Sequence, residues 1–73
     1  MNVFIIPFSL VCEMQARCYD AGLPYSARDP RSRALMLAVV DDEIRAARAA
    51  GLATDDVVNG LLDTRNAIER AAA

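Results

Sequence analysis

"ALMLAVV", residues 34–40, sets seven apolar side chains in a row inside the longer stretch "DPRSRALMLAVVDDEIRAARAAG", residues 29–51. Asp29 can cap a helix, and Pro30 sits at the first helical position, where its missing amide hydrogen costs nothing. Nothing interrupts the pattern until Gly51, a residue suited to the left-handed turn that closes a helix. A helix over about 30–50 follows, with Met36, Leu37, Val40, Ile44 and Ala47 recurring on one face. The acidic run 41–43, Arg45 and Arg48 fall mostly outside that face. Leu35 and Val39 are left on a second side, and a helix that is apolar all round needs cover all round.

Two further helices flank this one. Ser9 can cap a segment running to about Asp20, closed by Gly22-Leu23-Pro24, with Phe8, Val11, Cys12, Gln15, Cys18 and Tyr19 on one side and Leu10 and Met14 broadening it. Residues 22–28 are a connection. Thr54 can cap the last helix, to about 71, with Asp55 and Asp56 in the first turn, where free amides and the macrodipole favour negative charge. Val57, Val58, Leu61, Leu62 and Ile68 are its expected inward residues, and Arg65 bends outward from their edge. Gly60 inside this helix costs about 1 kcal/mol relative to alanine, and is either a plain weak spot or, the favoured reading, the site of a close crossing with a neighbouring helix. The expected fold is therefore all-α: about three helices, near 9–20, 30–50 and 54–71, in one domain. Residues 1–8 precede them as an extended apolar arm or a short strand, since Val3, Phe4, Ile5 and Ile6 are β-formers ahead of a proline.

A chain of 73 residues is one small domain of marginal stability. Its apolar surplus in residues 3–12 and 34–40 is the sequence-level reason to expect self-association, most simply a two-fold dimer, through Val3, Phe4, Ile6, Phe8, Leu35 and Val39. The apolar start has no basic leader region and meets Glu13 before the roughly 20 residues a membrane span requires. That pattern predicts a cytoplasmic chain without a membrane segment. Cys12 and Cys18, six residues apart on a helix, are well off a common face and are expected as reduced thiols.

Residues 46–58, "AARAAGLATDDVV", have the outline of a helix-turn-helix corner: Ala47 as the small inner residue, Gly51 at the turn, Leu52 plugging the angle, Val57 anchoring inward. The chemistry opposes DNA reading, because the residues offered first to a groove are Thr54, Asp55 and Asp56. Ten acidic residues against eight basic ones, all arginine, give a net charge of −2, which disfavours nucleic acid as a partner. The corner is expected to be structural, with a compact transcriptional regulator as the alternative.

Catalysis has no visible seat. There is no histidine for acid–base work near neutral pH, no glycine-rich phosphate loop, and the carboxylates of residues 41–43 fan around a helix instead of converging. No enzyme activity, cofactor, metal or small-molecule substrate is expected. What remains is a surface. Arg28, Arg31 and Arg33 are the one basic concentration, and Tyr25 beside them is the best placed aromatic, so Tyr25, Arg28, Arg31 and Arg33 are the expected contacts with a protein partner. The expected role is a small regulatory or inhibitory protein-binding module that self-associates; a structural subunit of a larger assembly fits the same features.

Overall fold

The computed structural model describes residues 8–72, which form α1 (Phe8–Asp20), α2 (Pro30–Ala49) and α3 (Asp55–Arg70). There is no strand among the described residues, and the fold is the small all-α bundle of three helices that the sequence predicts. Helix ends fall within a residue of the expected positions. Phe8 is already helical, and the arm or strand reading of the preceding segment, including Val3, Phe4 and Ile6, lies outside the described residues.

Each boundary has a local cause. Asp29 is extended and its Oδ1 accepts from the amides of Arg31 and Ser32 at 2.9 and 3.2 Å, with Pro30 opening α2. Thr54 caps α3 by accepting from the Val57 amide. Gly22 and Gly51 have φ of 70° and 72° and end α1 and α2 in the same way. The Gly51 amide donates to Arg48 O and the Leu52 amide to Ala47 O, and Gly22 and Leu23 repeat this pairing onto Tyr19 and Cys18.

The position of α2 explains its sequence. α1 and α3 each pack along α2, and their backbones do not come close to one another. A central helix needs two apolar sides, so Ser32, Met36, Val39, Val40 and Ile44 are all buried, and Leu35 and Leu37 are half-buried. Within residues 34–40 only the two alanines reach solvent freely. The cover required by "ALMLAVV" thus comes largely from the chain itself. Val39 is 3% exposed and sits in the intrachain core, which leaves it little surface for the expected contact with a second copy.

The outer helices bury narrower stripes than their apolar content suggests. α1 turns Leu10, Met14 and Cys18 into the core, with Val11 half-buried; Phe8, Cys12 and Tyr19, expected on the inner side, are exposed. α3 buries Leu61, Thr64 and Ile68, while Val57 and Leu62 are each 42% exposed and Val58 is half-buried. The two buried polar side chains are satisfied: Ser32 Oγ donates to Pro24 O at 2.5 Å, and Thr64 Oγ1 donates to Gly60 O at 3.0 Å. The first ties the α1–α2 connection to α2; the second consumes a hydroxyl within its own helix.

Candidate functional site

Because the backbones of α1 and α3 approach α2 but not each other, a groove stays open between the start of α1, the end of α2 and the start of α3. It has a volume of about 300 Å³ and is lined by Ser9, Leu10, Glu43, Ala47, Asp56, Val57, Gly60 and Leu61. Leu10, Ala47, Val57 and Leu61 supply an apolar floor. Glu43 and Asp56 are the charged residues of the lining. A second depression along the α1–α2 seam shares Ser9, Leu10 and Glu43 with it and continues toward Arg17.

Gly60 decides the shape of this groove. A Cβ built on it meets no atom within 4 Å, so the expected close helix crossing is absent: Gly60 faces open space. α3 therefore carries a bare stretch of backbone in mid-helix, at the conformational cost glycine brings there, along the wall of an apolar cleft. The crossing expected at Gly60 is absent, and the residue lines the groove instead.

No arginine is among the residues that line the groove, and two arginines link the helices. Arg17 of α1 lies 3.1 Å from Glu13 and 3.8 Å from Asp42 of α2, and Asp42 also pairs with Arg45. Arg65 of α3 lies 3.1 Å from Asp41 of α2 and pairs with Glu69. The hydrogen bond and charge of Asp41, with Glu69 adding to them, raise the Arg65 pKa above its ordinary value. These pairs bolt each outer helix to the central one. Among the described residues, Glu43 and Asp56 have no ion-pair partner; Asp56 stands in the first turn of α3, where the macrodipole favours its charge, and both carboxylates face the groove.

The surface expected from sequence is not gathered in the same way. Tyr25 is half-buried and packs against the core, where burial, followed by the nearby Cys18 and Tyr19, pushes its hydroxyl pKa up. Arg33 is half-buried and donates to Ala27 O at 3.0 Å. Arg31 points outward, 3.8 Å from Asp29, and Arg28 is exposed. Four residues grouped in sequence thus divide into two that hold the α1–α2 connection and two that stand in solvent. At the α2–α3 corner Leu52, aligned with the plug of a helix-turn-helix, is 65% exposed, and Val57 lines the groove instead of anchoring the angle.

Cys12 is exposed and Cys18 buried, both as free thiols. Among the described residues no cluster of three or more acidic, histidine or cysteine side chains is placed to hold a metal ion, and no helix is long and apolar enough to cross a membrane. Compared with protein-family models, with curated proteins and with solved structures, the chain matches none.

Proposed function

We propose that this chain is a small protein-binding module whose groove receives an apolar, positively charged segment of a partner protein, in a regulatory or inhibitory role and not a catalytic one. The observation that carries this reading is the open groove itself: an apolar floor, a bare glycine in its wall, and two carboxylates without cations. Glycine lets a partner's side chain approach helix backbone, the floor rewards burial of an aliphatic or aromatic anchor, and Glu43 and Asp56 select an adjacent arginine or lysine. Recognition of an amphipathic helix by an apolar groove works by this division of labour. A cleft this small and open suits an inserted side chain better than an enclosed small-molecule substrate.

A synthetic amphipathic helix of leucine and arginine is the defined probe. Calorimetric titration should show saturable binding by the wild-type chain, and no binding of the matching leucine–glutamate peptide. Glu43→Gln with Asp56→Asn should weaken the basic peptide at least about tenfold, while Arg31→Ala leaves it unchanged. Capture from native extract after nuclease treatment then identifies the physiological partner as the species held by wild type and Arg31→Ala and lost from Gly60→Leu. A partner held by Gly60→Leu and lost from Tyr25→Ala or Arg31→Ala would move the site to the α1–α2 connection and contradict the groove.

A further inference from the structure

The outer side of α1 carries a second apolar surface. Phe8 and Tyr19 are 82% and 65% exposed, Cys12 is exposed, and Gln15 is half-buried between them. Their spacings are four, three and four residues, and at 3.6 residues per turn they form one stripe along the helix. The opposing side holds the buried Leu10, Met14 and Cys18, and the Glu13–Arg17 pair lies on a flank beside α2. α1 therefore carries exposed apolar side chains on a second side, which the described residues do not cover.

A four-three-four spacing matches the seam spacing of a coiled coil, here over less than two heptads and with Gln15 at one position. This one is self-complementary. In an antiparallel pair with its two-fold axis between Glu13 and Met14, Phe8 is level with Tyr19 of the second copy, and Cys12 is level with Gln15 of the second copy. The residues beside the seam, Ser9, Val11, Ala16 and Cys18, are uncharged, so closing it strips water from no ion. Antiparallel pairing also sets opposite helix-dipole ends against each other. We propose that a second copy of this chain covers this face through an antiparallel α1–α1 contact.

The area available sets its strength. Aromatic side chains bury roughly 150–250 Å² each, so four of them, mostly exposed, bring about 600 Å² to the seam. That lies below the roughly 1,200 Å² of a standard specific interface, and the pair is a weak, concentration-dependent dimer. The contact differs from the self-association face expected from sequence, of which it keeps only Phe8, and is separate from groove occupancy. Asp56→Asn, which weakens peptide binding in the groove, leaves it unchanged, so either proposal can fail alone.

Sedimentation of the full chain from micromolar to millimolar concentration should give a mass rising from 7.9 kDa toward twice that value. Phe8→Glu and Tyr19→Lys place each new charge at the helix end whose dipole favours it, which protects folding. Each should weaken association at least about tenfold with helicity and melting temperature retained. Mixing the two variants should restore it, because one layer then pairs the opposite charges while native Phe8 and Tyr19 meet in the other. In the wild type, NMR should detect a contact between the Phe8 and Tyr19 rings, which stand about 16 Å apart along one helix and can meet only between copies. A monomer through millimolar concentration overturns the proposal, as does a monomer in which residues 1–7 shield Phe8. Association with a contact between the two Phe8 rings, or without rescue on mixing, overturns the antiparallel register.

Discussion

Replacing Gly60 by alanine should stabilise this protein, and the size of the effect follows from two observations. Gly60 is the sixth residue of α3, inside the helix, where glycine is about 0.8–1.0 kcal/mol less favourable than alanine. The added Cβ meets nothing within 4 Å, so no steric term offsets the gain. The Thr64 hydroxyl bonds the Gly60 carbonyl, which the substitution leaves in place. A net gain of about 1 kcal/mol corresponds to a rise of roughly 4–8 °C in Tm for a domain of 60–100 residues. The same chemical change at Gly51 should act with opposite sign, because φ there is 72° and a Cβ in the left-handed region costs roughly 1–2 kcal/mol. Thermal melts followed by circular dichroism compare the two directly. Were Gly60 at a close helix crossing, alanine would overpack it and lower stability by about 1–3 kcal/mol. A fall in Tm for Gly60→Ala would therefore refute an open groove wall, and a neutral Gly51→Ala would refute the strained turn. Because the new methyl projects into the groove, Gly60→Ala should also weaken the leucine–arginine peptide while it stabilises the fold.

Ser32→Ala removes a buried hydrogen bond to the Pro24 carbonyl, which keeps the Ser26 amide as a partner, and should cost about 0.5–1.5 kcal/mol in denaturant unfolding. Asp29→Ala removes the α2 cap and should cost about 1 kcal/mol by the same assay, with the loss confined to stability and absent from peptide affinity. Tyr25 has its folded-state pKa raised by burial, so its proton is held more tightly in the folded chain; its contribution is complete below the ordinary value of 10.0 and is lost as pH rises through the raised value. Tyr25→Phe should accordingly flatten the decline of Tm above that pH and leave the neutral range nearly unchanged. Arg65→Met cuts the link from α3 to Asp41, and its melting deficit should shrink in high salt, since both partners reach solvent.

The fold was legible because its signals were local. The Asp29-Pro30 start, the Thr54 cap and the two helix-closing glycines each act through neighbouring backbone groups, and each stands where the sequence places it. The apolar run 34–40 was equally visible, but its meaning depends on tertiary placement. The same seven residues read as surplus for a lone helix and as the two inner sides of a central one. Periodicity also overstated the core of α1. Phe8 and Tyr19 share a stripe with each other but not with Leu10, Met14 and Cys18, and hydrophobicity alone does not say which of two apolar sides turns inward.

The groove was less legible because it is a gap. Its lining comes from the beginnings of two helices and the end of a third, where the backbones of α1 and α3 stay apart. Gly60 stood out in the sequence, but as a sign of a helix crossing and not of a groove. Tyr25 and Arg33 drew attention by their chemistry, yet their side chains serve the α1–α2 connection, where Tyr25 covers the core and Arg33 holds the Ala27 carbonyl.

The groove claim is tested most directly by amide NMR of the full chain during titration with the leucine–arginine peptide. The sequence has three glycines, whose amides occupy a sparse region of the spectrum, and of these only Gly60 lines the groove. The account predicts a progressive, saturating shift of Gly60, together with Leu10, Ala47, Val57 and Leu61, while Gly22 stays fixed. Shifts centred on Gly22, Tyr25 and Arg31 with Gly60 unmoved, or equal response to the leucine–glutamate peptide, would contradict it.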